Sequence, residues 1–241
     1  MVSHAELRSG LGDAVRGGEP ALVRADRLCN ACVRLLDVDG AAMTLMISGS
    51  SGGTFGSGGE LGSRLGEFQF TFGEGPCTDA MRTDTPVLVP DLEGHGERRW
   101  PAYAGSVLAM GVRAVYALPV RVANVAVGAL DLYRYAPGAL VGDSLVGALM
   151  AAELAALPLL DIIANRHDLG ATGDDTRGWE ELAALAQVEI YQATGMVMAQ
   201  LGVGPAEALV RVRAHAFAHN LTASEVAWAI VERRLSLESD T

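Results

Sequence analysis

The chain has no lysine; all 18 of its basic residues are arginine. Together with abundant alanine, glycine and valine, that usage reads as a GC-rich coding bias more than a functional choice. One consequence is chemical. The Gly-x-x-x-x-Gly-Lys loop, which cradles phosphates and reaches them with its lysine, is absent. Nothing reads as a nucleophile elbow, the strand-to-helix turn that raises a catalytic serine. No enzyme is expected. Apolar runs of the roughly 18 residues needed to cross a bilayer are missing too. The opening Met-Val-Ser-His-Ala-Glu-Leu-Arg has no charged-then-apolar signal pattern, so a cytoplasmic protein with no membrane partner is expected.

Cysteine is scarce: Cys29, Cys32 and Cys77 are the three present. Cys29-Asn-Ala-Cys32 has the C-x-x-C spacing of redox and metal sites. A structural zinc wants four ligands, however, and no second C-x-x-C or histidine pair stands nearby. Leu22, Ala25, Cys29, Cys32, Val33 and Leu36 instead fall on one helical face, where a thiol behaves as a small apolar side chain. Reduced core cysteines are expected, with no metal and no evident cofactor.

Positive charge is short as well. The net charge is −11, and from Thr176 onward five arginines face eight carboxylates, a net of −3. The basic stripe that usually marks phosphate binding is therefore missing. Charge counting alone points to no nucleic-acid partner.

What is present suits one large or two modest domains. Residues 1–18, glycine-rich and polar, read as a flexible start. Glu19 to Asp37 reads as an amphipathic helix, and Ala41 to Ile47 as a buried strand. Ser48 to Gly59 reads as a hairpin turn leading to a weak strand near Thr54-Phe55. Pro76 opens a short helix, Pro86-Val-Leu-Val-Pro90 is a strand fenced by prolines, and a helix starts at Arg99-Trp-Pro101. Two strands, Ala114 to Val120 and Val125 to Tyr133, meet at a turn at Ala123-Asn124. Asp143 is placed to cap a long helix through Leu145, Leu149 and Leu154, which Pro158 should kink or end. Residues 166–178 hold three glycines and three aspartates without apolar period, and are taken as a linker.

The C-terminal stretch reads as three helices. Leu182, Ala186, Ile190, Ala193, Val197 and Leu201 recur at the helical period. Gly204-Pro205 starts the next helix, and Thr222-Ala-Ser-Glu225 is a capping box opening the third. So few short helices bury little alone, which makes pairing with a second copy plausible. Gly195 breaks the local rule, because mid-helix glycine costs about 1 kcal/mol relative to alanine. Close helix–helix packing or approach of a ligand would each account for it. His215 and His219 share a helical face at a spacing that can hold zinc, but no carboxylate stands between them as a metalloprotease would require.

Gln192-Ala-Thr-Gly-Met-Val-Met198, Glu207-Ala-Leu-Val-Arg-Val-Arg213 and Leu221 to Ala227 resemble the ANTAR domain, the RNA-binding module of bacterial antitermination regulators. The resemblance places the domain at 179–236. It implies RNA contact by Gln192, Thr194, Gly195, Met198, Arg211, Arg213 and His215, with Arg213 matching the family's arginine and Val212 standing for its leucine. Thr194 stands where the family commonly has lysine, so one phosphate contact is lost. Arg213 could alternatively pair within the chain, with Glu207 or Glu189.

Upstream, Phe72-Gly-Glu-Gly-Pro-Cys77, Val87-Leu-Val-Pro-Asp91, Arg99-Trp-Pro101, Gly111-Val-Arg-Ala114, Leu118-Pro119 and Gly128-Ala-Leu-Asp-Leu-Tyr133 resemble the GAF domain, here over 19–165. The resemblance implies an α+β fold, a GAF-type antiparallel sheet sandwiched by helices, followed by the all-α three-helix ANTAR bundle. It also implies a sensory pocket for a small molecule, lined by residues near Phe70, Phe72, Cys77, Val89, Met110 and Tyr116. All six are equally core candidates. The lysine of cyclic-nucleotide GAF domains is lacking, and nothing marks a bilin or haem site, so the ligand is unknown.

The expected function is signal-dependent antitermination. The GAF domain senses a ligand or partner, and ANTAR helices of a homodimer hold paired stem-loops in nascent mRNA. Two rivals stand beside it. One is a DNA-binding regulator, although Glu225, Trp228, Glu232, Arg233 and Arg234 are poor material for a major groove. The other is a protein–protein sensor that uses the ANTAR helices to dimerise.

Overall fold

Strand residues alternate between two destinations, and that alternation sets the layers of the N-terminal domain. The computed structural model describes residues 3–47, 50–94, 98–122, 124–161 and 187–237. Within them β1 (Gly40–Ile47), β2 (Ser50–Gly58), β3 (Val87–Val89), β4 (Ala114–Val122) and β5 (Val125–Arg134) form an antiparallel sheet ordered β2-β1-β5-β4-β3. Tyr116, Leu118, Leu130 and Leu132 enter one core, while Val115, Ala117 and Tyr133 enter the other. This is the period of two that a pleated strand imposes. Helices α1 (His4–Val15), α2 (Ala21–Leu35) and α6 (Gly142–Leu154) cover the first face. The second lies under α3 (Gly62–Phe72), α4 (Pro76–Thr83) and α5 (Pro101–Ala109).

The expected flexible start is corrected. α1 is a capped helix: Ser3 Oγ accepts the Glu6 N–H, and the Glu6 carboxylate accepts the Ser3 N–H at 2.7 Å. Leu7, Leu11, Ala14 and Val15 bury one face against α2 and α6. Asp143 is corrected too. Val141 is the N-cap of α6, and Asp143 sits in its first turn near His4. Pro158 acts as anticipated, because it has no N–H for the carbonyl of Leu154 and the helix is interrupted at Ala155 before resuming over 156–161.

The expectation about apolar length also needs correction. Gly142–Asp161, with a mean hydropathy of 1.6, is long and apolar enough to cross a membrane. Ala148, Ala151, Ala155 and Leu159 on it are fully buried in the first core.

α3 was not anticipated. Phe68, Phe70 and Phe72 alternate as a strand would, yet lie on a helix that rests on β1 and β2. A Cβ at Gly62 would lie 2.4 Å from the Ala41 carbonyl oxygen, and one at Gly66 2.4 Å from Thr54 Oγ1. Only glycine permits that approach. The Leu61 N–H, donated to the Tyr133 hydroxyl at 2.9 Å, fixes where the helix begins.

C-terminally, α7 (Val188–Leu201), α8 (Pro205–Ala218) and α9 (Ala223–Val231) pack together through Ile190, Ala193, Val197, Ala208, Val212, Ala216, Val226 and Ile230. Pro205 occupies the first turn of α8, and the Thr222–Glu225 capping box forms in full. The linker assigned to 166–178, together with Leu182 and Ala186, lies outside the described residues.

Leu11→Ala should lower unfolding stability by about 3 kcal/mol, since the side chain is fully buried. Urea denaturation followed by circular dichroism measures it. A change near zero would mean that α1 does not belong to the folded core.

Candidate nucleic-acid interface

Of the seven residues assigned to RNA, four lie on α7 and three on α8. Gln192 and Gly195 are exposed, and a Cβ at Gly195 would meet nothing within 4 Å. Close helix packing is therefore not the reason for this glycine. Thr194 is half-buried and donates its hydroxyl back to the Ile190 carbonyl at 2.6 Å. Met198 packs at the margin of the helical core.

On α8, Arg211 pairs with Glu207 one turn earlier at 3.2 Å. His215 stacks on His219 with ring centroids 4.1 Å apart. Burial, with His219 adding to it, holds the His215 imidazole below its ordinary pKa and favours the neutral ring. No metal-sized group of three or more His, Cys, Asp or Glu occurs among the described residues.

Arg213 has a different environment. It makes no ion pair with a described residue: Glu207 is engaged by Arg211, and Glu189 accepts from Ser224 Oγ at 2.6 Å. Its Nε is buried without a hydrogen-bond partner, and burial lowers the guanidinium pKa. The guanidinium lies over the ring of Phe70, 4.6 Å from its centroid. The seven residues therefore do not share one open face. Gly195 faces open space, while Arg213 faces α3 of the N-terminal domain.

Four further contacts accompany that stack. Phe217 meets Phe72 edge-on at 5.6 Å. Arg64 pairs with Glu225 at 3.0 Å and reaches the Asn220 carbonyl at 3.4 Å. The Ala223 N–H, an unpaired donor in the first turn of α9, donates to Thr71 Oγ1 at 2.8 Å. None of these contacts was legible in the sequence.

The six residues assigned to a sensory pocket do not converge. Phe70 turns toward the C-terminal helices, Phe72 packs against the second core and only its edge meets Phe217, and Tyr116 lies on the opposite face of the sheet, its hydroxyl on the Gly138 carbonyl at 2.6 Å. Val89 and Met110 belong to the second core. Cys77 is fully buried, and its N–H donates to Gln69 Oε1 at 2.7 Å.

The polar centre of this layer is instead Asp131 on β5, a residue whose family word was recognised without its chemistry. Thr44 Oγ1 lies 3.3 Å from Asp131 Oδ2. The Gln69 amide lies close enough to favour the carboxylate, yet neither Gln69 Nε2 nor Asp131 Oδ1 meets a partner in bonding geometry. A small gap lined by Gly62, Leu65, Pro76, Tyr103 and Tyr133 adjoins the carboxyl, with room for about one water. Burial pushes Asp131 up to about 7 and raises the thiols, Cys32 to about 12 and Cys29 and Cys77 well above their usual range.

Other signature words turn out to be scaffolding. The Glu74 carboxylate accepts the N–H groups of Ala102 and Tyr103, at 2.7 and 3.1 Å, and so caps α5. Arg113 bridges Asp91 and Glu93 at 2.9 and 2.8 Å.

This sheet between two helical layers, with a buried polar group beneath α3, is a GAF domain. The GAF family profile matches residues 21–159, more than half of the chain, and the chain belongs to that family. The ANTAR domain profile matches residues 181–231. The chain is thus a GAF domain followed by an ANTAR domain, the composition of an ANTAR-type regulator.

Solved structures show the same N-terminal fold. The GAF domain of a phosphoenolpyruvate-protein phosphotransferase from Coxiella burnetii is 15% identical, covering 70% of this chain and 96% of that one with a TM-score of 0.51. Its Acinetobacter counterpart is 14% identical, covering 69% and 95% with a TM-score of 0.50. A type II free methionine-R-sulfoxide reductase from Thermoplasma acidophilum is 15% identical, covering 57% and 92% with a TM-score of 0.45. At these identities the likeness to the two phosphotransferase domains is one of fold. A search of curated proteins finds no match.

Two measurements follow. Folded Asp131 keeps its proton up to about pH 7, whereas an unfolded aspartate loses it near pH ~4. Wild-type stability should therefore fall as pH rises through that window and level off above it. Asp131→Asn should gain on the wild type by roughly 2 kcal/mol between pH 5 and pH 8 in denaturant titrations; a pH-independent difference would contradict the buried carboxyl. Separately, Gly195→Ala should raise stability by about 1 kcal/mol, because the helix gains propensity and the new methyl meets no neighbour. Thermal unfolding checks this, and a lower melting temperature would show a hidden contact.

Proposed function

We propose that this protein is a signal-responsive antitermination regulator of the cytoplasm and not an enzyme. Its ANTAR helices bind stem-loops in nascent mRNA, and its GAF domain responds to a small ligand or a protein. One observation carries the RNA reading. Among the described arginines that make no ion pair, Arg213 alone is withdrawn from solvent, and its plane already holds an aromatic ring. A cation with no carboxylate, presenting a flat face, suits a splayed base. Gln192 and Gly195, exposed on α7, add an edge donor and a place for close approach.

Holding paired stem-loops would exclude a terminator hairpin and let polymerase continue. Two stem-loops call for two ANTAR copies, hence a homodimer. Leu149, Leu157 and Leu160, exposed along the helix at 142–161, offer apolar material for it. The fully buried thiols, all raised in pKa, support a structural role for the cysteines.

The test is binding of purified protein to a two-stem-loop RNA and to duplex DNA of equal length. The RNA should shift and the DNA should not. Arg213→Ala should weaken RNA binding about tenfold or more, the loss expected for a base-reading arginine. Wild-type behaviour of that variant, or equal binding to DNA, would sink the reading.

A further inference from the structure

The helix that roofs the GAF polar layer also covers Arg213. On one side of α3, Gln69 holds the start of α4 through the Cys77 N–H and lies beside Asp131. On the other, Arg64, Phe70, Thr71 and Phe72 meet α8 and α9. Phe70 makes with Arg213 the contact that a nucleobase makes with a guanidinium plane: a flat π-face over a delocalised cation. The two occupants cannot share that face of the arginine.

We propose that α3 gates the ANTAR domain, with Phe70 occupying the stacking position on Arg213 until α3 moves away and a base replaces it. This rests on the RNA reading given above, and it names how that site is controlled. The contacts that hold the gate suit such a role. One stack, one aromatic edge, one half-exposed ion pair, one long guanidinium–carbonyl bond and one hydroxyl–amide bond are each individually weak, and each has a substitute once the seam opens. Water can take the Ala223 N–H and Arg64, and RNA takes Arg213.

The gate also has a handle on the sensory side. Asp131 Oδ1 and Gln69 Nε2 are both buried and without partners, and the gap beside Asp131 has no room for more than about a water. A larger occupant of that layer has to displace the helices above it, and α3 carries Gln69. The route from sensor to RNA site therefore runs through α3, at the seam between the domains.

The experiment uses the full chain and two variants, Phe70→Ala and Arg64→Glu. The second keeps every aromatic ring of the seam, though it removes the guanidinium from over Phe68, and sets a like charge against Glu225. Hydrogen exchange at the Ala223 amide reports opening of the seam without RNA, and titration with the two-stem-loop RNA reports access to Arg213. Faster Ala223 exchange, together with RNA binding tightened about tenfold in both variants and lost again on adding Arg213→Ala, is the expected result. Faster exchange with wild-type affinity overturns the gate and leaves the RNA reading standing. Unchanged exchange in both variants also overturns it, because α3 would not be what holds Ala223. Absence of RNA binding by every chain overturns the gate and the RNA reading together. Should Phe70→Ala fail to fold, Arg64→Glu decides alone.

Discussion

Two glycines set the height at which α3 lies on the sheet. Gly62 and Gly66 bring the helix backbone against Ala41 and Thr54 at distances that leave no space for a methyl. That height carries Gln69 down into the polar layer beside Asp131 and stacks Phe68 on Phe72 at 5.3 Å. Because a helix is rigid over a few turns, it also determines where Phe70 and Thr71 emerge on the far side. The position of the ANTAR helices against the GAF domain is thus inherited from strand packing about 150 residues earlier in the chain, where Thr71 meets Ala223. Close packing of this kind behaves as either seated or unseated, with little between, which is the property a switch element needs.

Most elements were legible because their ends carry chemistry. Proline opens α4, α5 and α8, and reciprocal bonds of Thr222 and Glu225 open α9. Each is a local rule, readable without tertiary context. α1 carried the same kind of signal, Ser3 three residues before Glu6 and leucines at 7 and 11, but glycines at 10, 12, 17 and 18 obscured it. α3 was hidden for a subtler reason. Phenylalanines at 68, 70 and 72 alternate as in a strand, whereas on the helix 68 and 72 share one side and 70 points elsewhere. Arg213 stood out in the sequence, but nothing in local spacing tells which ring will lie across it.

The signature words of the GAF half divide by job. Glu74 caps a helix and Arg113 ties a loop to β4 through Asp91, so both explain the fold and neither faces the polar gap. Asp131 does face it, at the cost of burying a carboxyl against Thr44 and Gln69 with one oxygen left over. Unsatisfied buried groups are uncommon in well-packed domains, and they cluster where something is bound or moved. The unsatisfied polar atoms of this domain at Asp131 and Gln69 thus lie between the sheet and α3, away from Tyr116 on the opposite face.

How an acidic chain could read RNA is a question of distance more than of net charge. At physiological salt, charges separated by more than about 8 Å are largely screened. What matters is therefore the surroundings of the contact. Elsewhere carboxylates are matched by arginine, as in the pairs of Arg113 with Asp91, Arg121 with Asp84 and Arg211 with Glu207. The acids that could have paired with Arg213 are already committed, Glu189 to Ser224 and Glu207 to Arg211. Glu67 belongs to α3 itself, where burial, reinforced by Glu225 and Glu189, raises its pKa. Withdrawal of α3 would therefore uncover the guanidinium. With so few cations to displace counterions, affinity on this surface has to come from stacking and base edges, and its dependence on salt should be shallow for a nucleic-acid complex.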